Sequence, residues 1–177
     1  HFAFPVKLME YVASKNINFV FWVPSVLINV ANTKALDHVY IGGLEKVLFA
    51  GEAMPNKHLN YWRSKLPDSL FANLYGPTEI TVDCTYYKVE RAFEDSERLP
   101  IGFPCRNADV IILNEENQAV TGSEMGELCV RGSSIALGYW NDAAKSDQVF
   151  TQNPLNNHYF DRIYRTGDLV YINEYNE

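Results

Sequence analysis

The 177 residues predict an α/β fold in which a parallel αβ sheet half is followed by a small antiparallel β lobe. Three observations carry that reading. In residues 1–89 short apolar runs alternate with helix-periodic stretches, several opened by a proline. Residues 90–98 are densely charged and separate two regions of different pattern. Residues 99–177 show strand-like runs punctuated by Asn and Gly turns.

Taken in order, Pro5 opens the first helix, because its fixed φ suits a first helical turn. Phe4, Leu8, Tyr11 and Val12 are then expected on one face, and Asn16 ends the pattern. Residues 17–23 form a nearly continuous apolar run, as expected of a strand buried on both faces. Pro24 and Ser25 open a second helix, and residues 46–49 form the second strand. Pro55 opens a third helix with Leu59, Trp62 and Leu66 at i, i+3 and i+7. Residues 70–74 form the third strand. Strand and helix in turn, joined by short loops, imply a parallel sheet. Ligands of such sheets bind beyond the carboxyl ends of the strands. Two loops leave there, Ala50-Gly51-Glu52-Ala53 and Tyr75-Gly76-Pro77-Thr78-Glu79.

Residues 90–98 read as a solvated connector. Beyond them residues 109–113 form a strand and residues 114–117 a turn. Gly126 leads into a strand over 127–131, with Leu128 and Val130 on one face. Asn141 or Asp142 caps a short helix that runs to about Val149. Residues 169–172 close the chain as a strand.

The composition narrows the classes of function. Hydrophobic residues make up 47% and charged residues 21%, which is a folding composition rather than a disordered one. With 15 Lys and Arg against 22 Asp and Glu, the formal net charge is −7. A broad phosphate-backbone footprint needs a cationic surplus, so nucleic acid is not the expected partner, although one nucleotide needs only a few well-placed groups. Cys84, Cys105 and Cys129 fit neither a CxxC pair nor zinc spacing and are expected to be buried or half-buried thiols. His1, His38, His58 and His158 lack metal spacing and read as surface residues. There is no basic-then-apolar leader and no run of membrane-spanning length, so no membrane insertion is expected and the cytoplasm is the expected location. The chain starts at His1 without Met and stops at Glu177 with no closing element, which reads as an interior piece of a longer chain.

The residues richest in chemistry lie at 73–79. Gly76-Pro77 forces a tight turn just past a strand, which frees backbone N–H groups to face a ligand. Thr78 adds a hydroxyl donor and Glu79 a hard oxygen ligand suited to magnesium. Tyr75 offers a flat face to a base.

Asn73-Leu74-Tyr75-Gly76-Pro77-Thr78-Glu79 resembles the adenine-binding motif of acyl-adenylate-forming (AMP-binding) enzymes. Pro77 after Gly76 resembles their amino-acid-activating branch, the nonribosomal peptide synthetase adenylation domains and D-alanine–carrier protein ligases. Further motifs follow in the family's order. Val47-Leu48-Phe49-Ala50-Gly51-Glu52-Ala53 resembles the strand and loop that flank the adenine. Leu99-Pro100-Ile101-Gly102-Phe103-Pro104 resembles the crossing segment. Gly126-Glu127-Leu128-Cys129-Val130-Arg131-Gly132, with Gly138-Tyr139-Trp140-Asn141, resembles the β-lobe signature, and Tyr164-Arg165-Thr166-Gly167-Asp168 the ribose-binding motif.

The resemblance implies a fragment of the large N-terminal domain of an adenylate-forming enzyme. Residues 1–89 would be an α/β sublobe with the adenine motif, residues 90–177 a β-rich sublobe ending in the ribose motif, and the C-terminal domain would be absent. It implies an ATP-dependent ligase that uses magnesium to make an aminoacyl-AMP. The acyl group would pass to the phosphopantetheine thiol of a peptidyl or D-alanyl carrier protein. Residue by residue, it implies a nucleotide site of Gly51, Glu52, Ala53, Asn73, Leu74, Tyr75, Gly76, Pro77, Thr78 and Asp168. Asn73 and Tyr75 would meet the adenine, Thr78 the α-phosphate, Glu79 the magnesium and Asp168 the ribose hydroxyls. Thr78 and Glu79 are thus the catalytic candidates, and no protein nucleophile is required. The acid pocket would be lined by Phe21 or Trp22, Leu48, Ala50, Leu74 and Val82, an apolar set that favours a small or apolar amino acid. The family's phosphate loop would lie upstream of His1 and its catalytic Lys beyond Glu177, so the piece alone is expected not to turn over. Two alternatives stand beside this reading. A fatty or aryl acid–CoA ligase fragment is disfavoured by Pro77, and an inactive interaction scaffold by the presence of Thr78, Glu79 and Asp168.

Overall fold

Pro5 begins the first helix, α1 (Pro5–Ser14), in a computed structural model that describes residues 4–177; the reading of His1 lies outside the described residues. A proline in the first turn sacrifices an N–H that has no helical partner anyway. The helix buries Leu8, Met9 and Val12. Phe4 and Tyr11, expected on that face, are 68% and 41% exposed. Phe4 is extended backbone ahead of the helix, and the buried stripe runs through residues 8, 9 and 12, which leaves Tyr11 at its margin.

Next come β1 (Phe19–Trp22), α2 (Pro24–Asn32), a 3₁₀ turn at Ala35–Asp37, β2 (Lys46–Phe49), α3 (Asn56–Lys65) and β3 (Leu70–Tyr75). The three strands pair in parallel, with Val20, Val47 and Phe71 in one register row and Trp22, Phe49 and Asn73 in another. Successive residues of a strand point to opposite faces, so these two rows, two positions apart, share a face. Val20, Val47, Phe49 and Phe71 are buried there with Leu27, Leu59 and Trp62. Phe21, Leu48 and Ala72 form the row on the opposite face. On that side Phe19 and Phe21 are 48% and 44% exposed, so β1 is covered on one face and not on both as expected. A short apolar run does not by itself distinguish the two cases. Trp62, fully buried, donates its Nε1–H to the Leu27 carbonyl at 2.9 Å and so ties α3 to α2.

These elements belong to the first of two units, which holds the described residues through Leu74 together with Tyr87–Gly102. The charged stretch 90–98 lies in it and is not simply solvated. Phe93 is buried, with the Arg91 guanidinium 3.7 Å from its ring centroid. Asn60 Nδ2 donates to the Phe93 carbonyl at 2.9 Å, Asn56 Nδ2 to that of Glu97 at 3.0 Å, and Arg63 Nη1 to that of Arg91 at 2.7 Å. Side chains of α3 thus satisfy the backbone of a segment that belongs to no regular element. The charges of Arg91 and Glu97 pair at 3.1 Å.

The second unit comprises Tyr75–Tyr86 and Phe103–Glu177. The chain crosses between units within β3 and again within β4 (Thr85–Lys88). Thr85 and Tyr86 of β4 pair antiparallel with β5 (Phe103–Pro104). Then follow β6 (Ala108–Leu113), β7 (Gly126–Gly132), α4 (Ala143–Val149), β8 (Phe150–Gln152) and β9 (Arg162–Val170). They build an antiparallel sheet in the order β6-β7-β9-β8. Asp142 caps α4 by accepting the Lys145 N–H at 3.0 Å. The strand expected over 169–172 is instead the end of β9, which starts at Arg162 and stops at Val170. The polar run Arg165-Thr166-Gly167-Asp168 hides its apolar alternation from a sequence reading. Ile80, Cys84, Val130, Phe150 and Tyr164 form the main core of this unit.

The three cysteines are free thiols, two buried and Cys105 partly so. Burial pushes the Cys84 and Cys129 thiols up to about 12, so both stay protonated at neutral pH. His38 and His158 are exposed, whereas His58 is half-buried with Nε2 3.0 Å from Asn32 Oδ1. Among the described residues no helix is long and apolar enough to cross a membrane.

Trp62→Phe removes the indole donor, so the Leu27 carbonyl keeps only the acceptor role of its helical position and the tie between α3 and α2 is lost. It is expected to lower the unfolding free energy by about 1–3 kcal/mol in urea denaturation. An unchanged midpoint would mean that the Trp62–Leu27 hydrogen bond contributes no net stability.

Candidate functional site

Beyond β3 the chain doubles back within the second unit. The Cys84 N–H donates to the Tyr75 carbonyl at 2.8 Å and closes a loop over the intervening residues. Gly76 permits the closure, since a Cβ there would stand 2.5 Å from the Val82 carbonyl oxygen and 2.7 Å from Asp83 Cα. Pro77 leads into a 3₁₀ turn at Thr78–Ile80, and Ile80 buries its side chain in the core while Thr78 stays exposed. Thr81 and Val82 then both take positive φ, 63° and 79°. Two successive β-branched residues in that region are strained. The Thr81 hydroxyl, donating to the Ser134 carbonyl at 2.8 Å, helps to hold them.

Glu79 is fixed twice. Its carbonyl accepts the Ala136 N–H at 2.8 Å, and its Oε1 accepts the Tyr139 hydroxyl at 2.5 Å. The Tyr139 hydrogen bond holds the Glu79 carboxyl below the usual range; burial opposes the shift, and Tyr164 and the Lys145 charge add to it. The same bond raises the Tyr139 phenol, and burial raises that of Tyr164. Rings of Tyr139, Phe150 and Tyr164 pack in series, with centroids 5.7 and 5.0 Å apart.

Asp168 is exposed on β9, and its Oδ2 accepts the hydroxyl of Tyr75, 93 positions earlier in the chain. The half-buried phenol of Tyr75 is shifted upward, first by burial and then by the Asp168 carboxylate. The second unit therefore brings Tyr75, Gly76, Pro77, Thr78, Glu79 and Asp168 onto one body.

The remaining candidates lie in the first unit, Val82 excepted. Gly51, Glu52 and Ala53 follow β2 and are exposed. The Glu52 carboxylate accepts the Ser25 N–H at 2.8 Å and faces the Ser25 hydroxyl at 3.3 Å. It thereby caps α2, whose own N-cap residue, Val23, offers no side-chain acceptor. Asn73 is buried, and its Nδ2 donates to the Pro100 carbonyl of the crossing segment at 2.8 Å. Strand alternation puts Phe21, Leu48 and Leu74 on the face opposite the core, with Ala50 just past the end of β2. Trp22 falls on the core face and packs against the core. Val82 sits exposed on the strained loop of the second unit.

Among the described residues no three His, Cys, Asp or Glu side chains group closely enough to hold a metal by themselves. A single hard carboxylate kept ionised, as Glu79 is, nevertheless suits magnesium, which binds one or two carboxylates and completes its shell with phosphate and water. Tyr139 and Tyr164 lie inside the sequence motifs, but the sequence assigns neither of them a role. Nothing in a Gly-Tyr-Trp-Asn string shows that its phenol reaches a carboxylate 60 positions away.

Residues 1–140 match the family of AMP-binding enzymes. The chain is 36% identical to tyrocidine synthase 3 of Brevibacillus parabrevis over 93% of its own length, which is 2% of that protein. Its fold is similar to that of PA1221, an NRPS protein containing adenylation and PCP domains, with a TM-score of 0.83 and 26% identity over 97% of this chain and 34% of that one. It is also similar to the Vibrio cholerae adenylation domain AlmE, solved in complex with glycyl-adenosine-5′-phosphate, with a TM-score of 0.81 and 25% identity over 96% of this chain and 32% of that one. The chain thus spans a few per cent of the synthase and about a third of each solved protein.

Tyr139→Phe removes the largest influence that lowers the Glu79 carboxyl, whose pKa is expected to move up in a carboxyl ¹³C titration. A carboxyl depressed in the folded state contributes stability above its unfolded pKa and loses it as pH falls through the folded value. In the variant that contribution should be smaller and its loss complete at a higher pH. An unmoved Glu79 resonance would show that Tyr139 does not control it.

Proposed function

The chain belongs to the AMP-binding enzyme family, and from that premise we propose that it supplies part of the adenylation centre of an ATP-dependent ligase. The ligase activates an amino acid as aminoacyl-AMP and passes it to the phosphopantetheine thiol of a peptidyl carrier protein. The observation that carries the reading is the pairing of the Tyr75 hydroxyl with the Asp168 carboxylate in the unit that also holds Glu79 ionised. The solved relative with a glycyl adenylate supports an amino acid as the acid, and the relative with a PCP domain supports a carrier as acceptor. We propose the cytoplasm as its location, where ATP is available.

In the proposed reaction the substrate carboxylate attacks the α-phosphorus of ATP, the bond to the bridging oxygen breaks, and pyrophosphate leaves. Negative charge builds on the phosphoryl oxygens as it does so. Thr78 donates its exposed hydroxyl to the α-phosphate, and Glu79, kept anionic by Tyr139, holds magnesium. Magnesium, when bound, neutralises the charge on the transferring group and on pyrophosphate. Tyr75 lays its ring on the adenine, and the two Asp168 oxygens accept the ribose hydroxyls. In the first unit Asn73 has one amide hydrogen on Pro100 and can bond the adenine with the rest of the amide. The backbone at Gly51, Glu52 and Ala53, and at Leu74, Gly76 and Pro77, lines the nucleotide. Of the pocket alternatives Phe21 is favoured as the lining residue, since it shares a face with Leu48 and Leu74 while Trp22 packs against the core. With Ala50, these side chains of the first unit favour a small or apolar amino acid, and Val82 of the second unit is apolar too.

ATP–pyrophosphate exchange by the full-length protein, offered D-alanine and the twenty L-amino acids, is expected with one or a few of them. Exchange with none would overturn the amino-acid reading. Glu79→Ala should slow exchange on the order of 10²-fold or more, as the loss of a group that stabilises developing charge does. Asp168→Ala should chiefly raise the KM for ATP, and an unchanged KM would remove Asp168 from the ribose.

A further inference from the structure

Between β7 and β9 the antiparallel ladder breaks at one place. Glu127 pairs with Leu169, and Cys129 pairs with Arg165. One residue of β7, Leu128, therefore stands opposite three of β9, namely Thr166, Gly167 and Asp168. Such a bulge costs ladder hydrogen bonds, and in a stable sheet other groups must replace them.

Side chains replace them here. The Thr166 hydroxyl donates to the Leu128 carbonyl at 2.7 Å, which occupies the acceptor that the bulge leaves open. The same oxygen of Thr166 accepts the Asp168 N–H at 3.0 Å. From the facing strand, Glu127 Oε1 accepts the Gly167 N–H at 3.0 Å. Its Oε2 takes the Arg165 guanidinium, with Nε at 2.8 Å and Nη2 at 2.5 Å, and Arg165 Nη1 reaches Asn117 Oδ1 at 2.8 Å. Gly167 has a φ of 76° with nothing within 4 Å of a Cβ built there, so glycine answers a backbone need and not a shortage of space. The product of this arrangement is a fixed direction for Asp168, whose carboxylate meets the Tyr75 hydroxyl although the side chain is exposed.

We propose that Thr166 and Glu127 are positioning residues for the nucleotide, which hold the β9 bulge in the one shape that aims Asp168 at the ribose. The inference rests on the assignment of Asp168 to the ribose hydroxyls. Neither residue is among those assigned to the nucleotide. Thr166 acts by linking the Asp168 N–H to the Leu128 carbonyl through its hydroxyl, and Glu127 by clamping the Gly167 N–H from the opposite strand.

The test is ribose discrimination in the full-length protein, measured as the ratio of Kd values for 2′,3′-dideoxy-ATP and ATP by calorimetry, with melting temperatures to confirm folding. A loss of stability alone would not change this ratio. Thr166→Val keeps the shape and removes the hydroxyl; it is expected to reduce the preference for ATP about tenfold, in line with the loss of an aligned hydrogen bond to a charged group. Thr166→Ser should restore the preference to within about twofold of the parent. Glu127→Ala attacks the same bulge from the other strand and should reduce the preference in the same direction, so the test does not depend on one variant folding. In pyrophosphate exchange the KM for ATP should rise in both loss variants while kcat at saturating ATP holds. If Asp168→Ala abolishes the preference and both loss variants keep it, the positioning role is wrong and the ribose assignment stands. If Asp168→Ala leaves the preference intact, the ribose assignment fails and the positioning role falls with it.

Discussion

A phenol that donates its hydrogen bond to a carboxylate 93 residues away sets the terms for the second unit. Tyr75 is half-buried at the end of a strand, and a hydroxyl in that position needs a partner. Asp168 meets it where β9 bulges, and there Thr166 and Glu127 take up backbone groups that the ladder leaves unpaired, with Arg165 holding Glu127. Gly76 belongs to the same set of requirements. Its bare Cα lets residues 82–84 return against the end of β3, which fixes where Tyr75 points.

Satisfaction of backbone groups by side chains recurs through both units. Glu52 caps a helix whose N-cap valine cannot, α3 supplies the donors that hold the stretch 90–98, and Asn73 anchors the crossing segment at Pro100. Each case places a polar side chain of one element on the backbone of an irregular neighbour. Backbone groups that no helix or strand would pair thereby find partners in these irregular segments.

Charge in the second unit is arranged with similar economy. Tyr139 keeps Glu79 in its anionic form with a single short hydrogen bond, and the ring behind that hydroxyl is packed on Phe150. The buried thiols go the other way, with burial keeping Cys84 and Cys129 protonated and unreactive. One unit thus holds a carboxylate whose ionised form is favoured and thiols whose protonated form is favoured.

The local elements were legible from the sequence wherever local rules decide them. Prolines marked the starts of α1, α2 and α3, the 46–49 and 70–74 runs marked β2 and β3, Asn141 or Asp142 marked the start of α4, and the strand and helix alternation implied the parallel sheet. The motif strings 73–79 and 164–168 pointed to the family that residues 1–140 match. Where burial depends on what lies opposite, the sequence was silent. It could not show that β1 is covered on one face, that Tyr11 lies beside the buried stripe and not in it, or that Phe93 sinks into the core from a charged stretch. Nor could it show that Tyr139 holds Glu79, or that Thr166 and Glu127 shape a bulge around Asp168, because those partners are separated by tens of residues and meet only after the strands pair. Periodicity and turn chemistry act over a few residues and can be read from the chain, whereas the choice of hydrogen-bond partner is made by the packed fold.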